Sequence, residues 1–162
     1  MKLNRIVIIC ITMLGFVACY KTPQYPITPT LKFETFTKPN SVFTLGDTGN
    51  LVLSFTDGDG DMGKLNNADS SSRLWYRNQR DTTFFNRDRY YVIPVIPQKG
   101  TTKAISGTIE MKLSAALFNS YEAYFIAKGI SIDTFTFKMY VTDRANHQSN
   151  VITTPPIIVK MP

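Results

Sequence analysis

Cysteine and histidine are nearly absent from this chain of 162 residues, which carries two cysteines, Cys10 and Cys19, and a single histidine, His147. Both cysteines fall near the start, so the sequence beyond residue 19 can form no disulfide and offers no thiol to a metal or a substrate. Zinc centres draw on several Cys or His side chains, and that chemistry is excluded from the body of the chain. Long apolar runs are also missing. Ile6 to Val17 is the main candidate, and its about twelve residues fall short of the roughly 20 that span a bilayer core. No G-x-S-x-G elbow occurs, and Gly58, Gly60 and Gly63 are not followed by the Lys-Ser/Thr of a phosphate-cradling loop. Dense basic blocks are lacking too. Arg73, Arg77, Arg80, Arg87 and Arg89 are dispersed, with Asp81 and Asp88 among them, which reads as a solvated face. No nucleic-acid partner is expected.

The first nineteen residues have a distinct organisation. Lys2 and Arg5 precede the apolar stretch Ile6 to Val17, and Ala18-Cys19 follows, which is the layout of a bacterial secretory signal peptide. Phe16-Val17-Ala18-Cys19 resembles a lipobox, with Phe16 where leucine is usual. The resemblance implies that residues 1–18 are removed and that Cys19 receives lipid, anchoring the protein to the outer membrane. An ordinary signal peptide with a chance cysteine is the alternative. Tyr20-Lys21-Thr22 lacks the acidic residues of a surface-export signal, which points toward the periplasmic side and leaves the cell surface open. Loss of Lys2 and Arg5 lowers the formal charge from +6 to +4. Residues 19–30, with Pro23, Pro26 and Pro29, read as an extended tether, and residues 31–162 as one domain.

An apolar fraction of 43% with 12% aromatics suits a globular core rather than a disordered chain. The local patterns are those of strands. Leu51–Phe55, Arg73–Arg77 and Tyr90–Ile93 are compact runs, the last ended by Pro94. Ser106–Leu113 alternates, with Ile109, Met111 and Leu113 on one face, and Thr134–Val141 sets Phe135, Phe137, Met139 and Val141 on one face. Val151-Ile152 and Ile157–Val159 are separated by Pro155-Pro156, which cannot donate to a ladder. Between Ser114 and Gly129 the apolar spacing turns helical, predicting one short crossover helix. The expected fold is all-β, an antiparallel β-sandwich of about seven strands.

The strongest chemical signal is Phe55-Thr56-Asp57-Gly58-Asp59-Gly60-Asp61-Met62-Gly63. Three aspartates at alternate positions follow a strand, and the glycines between them permit a tight path on which carboxylates converge. A hard cation with six to eight oxygen ligands suits such a set, which means calcium rather than zinc. The EF-hand pattern begins here and then fails, because Met62 stands where its glycine belongs and Ala68 where its bidentate glutamate belongs. A bare acidic turn and a ligand-contacting loop are the other readings.

A second phrase, Tyr140-Val141-Thr142-Asp143-Arg144-Ala145-Asn146-His147-Gln148-Ser149-Asn150, resembles the V-T-D-x-A-G-N-x-S turn of bacterial immunoglobulin-like domains, with Asn146-His147 in place of Gly-Asn. Together FTDGDGDMG and VTDRANHQSN resemble single-domain immunoglobulin-like or cadherin-like envelope lipoproteins of the Bacteroidota. That resemblance implies an immunoglobulin-like sandwich and an envelope address, with no defined activity. It would bring Asp143 to Asp57, Asp59 and Asp61 as a fourth carboxylate, and Asp69 is a further candidate metal ligand.

No catalytic residue is expected, since His147 lies in a polar turn without a recognisable nucleophile. A hydrolase remains a remote alternative. Trp75, Tyr76, Phe84, Phe85, Tyr90 and Tyr91 cluster with Arg77, Arg80, Arg87 and Arg89, and alternation assigns half of the rings to the core. Trp75, Tyr76, Arg77 and Tyr90 are the candidate ligand face. Two function classes follow: a structural or interaction lipoprotein that holds an envelope protein partner, and a glycan-binding module.

Overall fold

The computed structural model describes residues 24–44, 46–80, 88–97, 103–113 and 123–161. Cys19, the signal segment, Phe84, Phe85, Arg87 and residues 114–122 of the expected helix lie outside them.

The described chain is an all-β sandwich. β1 (Thr30–Phe36), β3 (Gly49–Asp57) and β6 (Ile105–Leu113) form one antiparallel sheet in the order β1-β3-β6. Across the core, β5 (Arg89–Val92), β4 (Arg73–Asn78), β8 (Phe137–Thr142) and β9 (Ile152–Thr153) form a second in the order β5-β4-β8-β9. β2 (Val42–Thr44), β10 (Ile157–Lys160) and β7 (Ile132–Phe135) form a third in the order β2-β10-β7, in which β2 runs parallel to β10. A short helix over residues 123–128 precedes β7 and places Phe125 in the core.

Ten strands appear among the described residues where the sequence pattern implies about seven: β1 and β2 are additional, and the single run Thr134–Val141 is divided between β7 and β8. A 3-10 turn at Pro39–Ser41 separates β1 from β2, so the chain leaves one sheet and joins another. Thr136 divides β7 from β8 within a single alternating run. Thr154, Pro155 and Pro156 divide β9 from β10, because proline has no N–H for the ladder. Thr154 continues the β8–β9 pairing past the end of β9: its N–H donates to the Phe137 carbonyl (2.9 Å), and its hydroxyl accepts from the Phe137 N–H (3.0 Å). The β1-β3-β6 and β5-β4-β8-β9 neighbours follow the order of an immunoglobulin-like sandwich.

Alternation sets the core. Leu51, Leu53, Phe55, Met111 and Leu113 point inward from the first sheet. Leu74, Tyr76, Phe137, Met139 and Val141 meet them from the other side, and Phe135, Ile157 and Val159 extend the same core. The predicted inward face of Thr134–Val141 is buried throughout. β1 and β2 were not read from the sequence as strands. β1 is bulged between Phe33 and Thr35, and the bulge breaks its period-2 pattern. β2 is only three residues long.

Candidate metal centre

Asp57 is the last residue of β3, pairs across the sheet with Ile105 and is fully buried. Its position follows from the strand's period, since Leu51, Leu53, Phe55 and Asp57 all share the inward face. Beyond it the chain turns sharply, helped by positive φ at Gly60 (72°) and Gly63 (86°). Met62 is buried at the base of the loop, and its N–H donates to Asp57 Oδ2 at 3.0 Å.

One oxygen from each of Asp57, Asp59 and Asp61 lies within 4.8 Å of the other two. The Oδ1 atoms of all three are buried and have no hydrogen-bond partner. Three buried carboxylate oxygens left without donors are costly unless a cation or protons neutralise them. The cluster can hold a metal ion, and its donors are all hard oxygens. Burial, and then the charges of Asp59, Asp61 and Asp143, push the Asp57 carboxyl up to about 6, against the hydrogen bond from Met62. Asp61 is raised as well, by burial and by Asp143 and Asp59, against the Ala145 N–H and Arg144.

The loop is clasped by the turn after β8. The Arg144 N–H donates to the Asp61 carbonyl (3.3 Å), and the Ala145 N–H donates to Asp61 Oδ2 (3.0 Å). Arg144 Nη1 donates to the Gly63 carbonyl at 2.7 Å. Ser72 adds a bridge, accepting from the Gly63 N–H (2.9 Å) and donating to the Thr142 carbonyl (3.0 Å). Asp143 is fully buried and close enough to Asp57 and Asp61 to shift both. Its own oxygens are engaged, however. Oδ1 accepts the His147 N–H at 2.8 Å, and Oδ2 meets His147 Nδ1 at 2.9 Å. Asn146 takes φ 68° in that turn, a left-handed position that Asn tolerates where the resembled pattern has Gly.

Asp69 does not join the three clustered aspartates. Its Oδ2 accepts the Leu65 N–H (2.6 Å), and its Oδ1 accepts the N–H (2.9 Å) and hydroxyl (2.6 Å) of Ser71. Those donors hold its carboxyl down at about 2. It closes its own loop.

The segment before β1 also reaches the site. A Cβ on Gly58 would clash with the Tyr25 carbonyl oxygen and would stand 2.6 Å from that of Pro26. Asn150 fixes the start of β1 from the other side, accepting the Leu31 N–H and donating to the Leu31 carbonyl, both at 2.9 Å. Sequence reasoning missed Asn150, Ser72, Met62 and this contact at Gly58, because each depends on chain segments that only the fold brings together.

On the outer face of the second sheet, Trp75 pairs with Tyr90 on one side and Tyr140 on the other. The ring centroids lie 5.0 and 6.0 Å apart, and the Trp75 Nε1–H donates to the Thr142 hydroxyl at 3.3 Å. Arg73 sits over the Trp75 and Tyr90 rings, at 5.6 and 4.6 Å. Arg77 makes a bidentate pair with Asp88, at 2.7 and 2.6 Å. Tyr76 is turned away from this face into the core, 5.3 Å from the Tyr91 ring. The Ser149 hydroxyl accepts from the Val141 N–H and donates to the Asn150 carbonyl, which leaves it bound to backbone rather than to His147. No protein-family model matches the chain, and no curated protein matches it either.

Proposed function

We propose that this chain is a lipid-anchored protein of the bacterial cell envelope whose β-sandwich is a protein-interaction module stabilised by a calcium ion. The observation that carries the metal part is the set of three buried, unpartnered Oδ1 atoms of Asp57, Asp59 and Asp61. Carboxylates in a glycine-rich loop favour calcium over smaller or softer cations, because calcium accepts many oxygens in flexible geometry. The anchor rests on Phe16-Val17-Ala18-Cys19. Among the described residues no helix is long and apolar enough to cross a membrane.

Thermal unfolding tests the metal. Calcium at a hundredfold excess over Kd adds about 2.7 kcal/mol to the folded state. In a domain of this size that raises Tm by about 8 °C, and with Kd near 10⁻⁴ M the effect needs about 10 mM calcium. Asp59→Ala abolishes the rise and leaves the melting of the EDTA-treated protein nearly unchanged. Superimposable scans in EDTA and calcium would remove the ion from the account. Detergent-phase partitioning that is lost on Cys19→Ala tests the anchor.

Glycan recognition is the second reading, and the row Tyr90–Trp75–Tyr140 favours it. Three rings across three adjacent strands span about 10 Å, the length of roughly two sugar rings. Arg73 already covers two of those rings, which favours the protein-interaction reading. Glycan-array binding that falls on Trp75→Ala would reverse that order.

A further inference from the structure

The open edge of β6 differs from every other sheet edge among the described residues. β1 is bulged between Phe33 and Thr35, and β2, β5 and β7 are three or four residues long. β5 runs into Pro94, and β9 has two residues before Pro155-Pro156. Bulges, prolines and short length are backbone means by which an edge avoids pairing with another chain, and charged side chains such as Glu110 and Lys112 of β6 are a further one unless a partner matches them. β6 has none of the backbone devices. It runs for nine residues without proline, and its register with β3 is unbroken from Leu113 to Ile105.

An apolar groove of about 290 Å³ lies along this edge, between β6 and the edge strand β5. Leu74, Tyr91, Val92, Ile109 and Met111 line it, with Glu110 and Lys112 beside them. Tyr91 and Val92, 43% and 37% exposed, add apolar surface to its rim.

The geometry points to a second copy of this chain as the occupant, with the two β6 strands pairing antiparallel about a two-fold axis at Met111. Antiparallel pairing at that register joins Ile109–Leu113 of the two copies and sets Glu110 of each copy opposite Lys112 of the other, so the five-residue seam carries two opposite-charge pairs. Ile109 faces Leu113 and Met111 faces Met111, so the inward face remains apolar along the joined sheet. The alternative register about Ile109 pairs Thr108 with Glu110 and Ser106 with Lys112, leaving the charges unmatched. In the Met111 register the first sheets of the two copies become one continuous six-stranded sheet, and the two grooves face each other across the axis. Such an isologous interface closes on itself and stops at the dimer. This inference supplies the partner for the interaction module and is independent of calcium.

Sedimentation equilibrium of the full chain in density-matched detergent tests it. The expected result is a reversible monomer–dimer equilibrium. Glu110→Lys and Lys112→Glu each weaken it by about tenfold or more, because like charges then oppose one another twice in the seam. The double exchange, Glu110→Lys with Lys112→Glu, restores dimerisation to within about threefold of the parent. Glu110 accepts a hydrogen bond from Asn50 Nδ2 (2.9 Å), so the double variant also controls for loss of that local contact. A chain that is monomeric at every concentration overturns the proposal and leaves any calcium-dependent melting untouched. Association that ignores both single exchanges, or that the double exchange fails to restore, overturns it equally.

Discussion

Asp57 has opposite energetic consequences with and without a cation. Its folded-state carboxyl stands at about 6 against an ordinary 3.8, so the metal-free folded chain holds a proton there more tightly than the unfolded chain does. That contribution to stability is complete below the ordinary value and is lost as pH rises through about 6. His147 is also raised, chiefly by its hydrogen bond to Asp143, and its contribution is likewise lost as pH rises. In EDTA the protein should therefore melt at a higher temperature near pH 5 than near pH 7.5, to the extent of about 1–3 kcal/mol at Asp57. Asp57→Asn separates the two groups. An amide oxygen can still accept the Met62 N–H, while the buried charge is gone. The variant should melt higher than the parent in EDTA at about pH 7.5, keep only the part of the pH dependence that comes from His147 and the also raised Asp61, and gain nothing from calcium. A variant that melts lower than the parent in EDTA would mean that Asp57 is already neutral or neutralised there.

At the scale of elements, the site is a loop between β3 and β4 held by two neighbours, the turn after β8 and the segment before β1. The aspartates were legible in the sequence because alternate carboxylates separated by glycine carry their own physics, and the paired strands β3, β6 and β8 were legible from their period. The neighbours were harder to read. Asp143 was placed near the loop through a resemblance, but its commitment to His147 depends on the rotamer of a turn residue. Residues 19–30 read as an extended tether because proline-rich sequence has no apolar period, and that pattern carries no sign that Pro29 is buried or that the Tyr25 carbonyl lies against Gly58. Gly58 thus supplies close approach rather than flexibility alone. Gly58→Ala forces the loop or the tether to move, since the obstructing atoms are backbone. The expected cost is about 1–3 kcal/mol in urea unfolding, with the m-value unchanged. A neutral Gly58→Ala would show that residues 25 and 26 do not rest on the loop in solution.

For the molecule as a whole, the position of the site matters more than its affinity. Asp57 ends a strand of one sheet, and Asp143 follows the end of β8 in the other, so the loop and the turn close the same end of the sandwich. The opposite end is closed differently. There β2 pairs with β10, and Phe43 and Val159 are fully buried. Apolar packing of that kind does not respond to a cation. At the site, the clasp consists of backbone donors from residues 144 and 145 to Asp61 and of Arg144 to Gly63, all held on a loop whose three carboxylates repel one another without an ion. Chelation should therefore loosen one end of the sandwich alone, as a local opening below the cost of global unfolding. Hydrogen exchange measured at about pH 7.5 in EDTA and in millimolar calcium reads this directly. The amides of Met62, Gly63, Ala145 and His147, which all donate within the clasp or beside it, should exchange at least about tenfold faster in EDTA, while those of Phe43 and Val159 keep their rates. Equal acceleration at both ends would mean that calcium acts only through global stability, and that the loop does not join the two sheets.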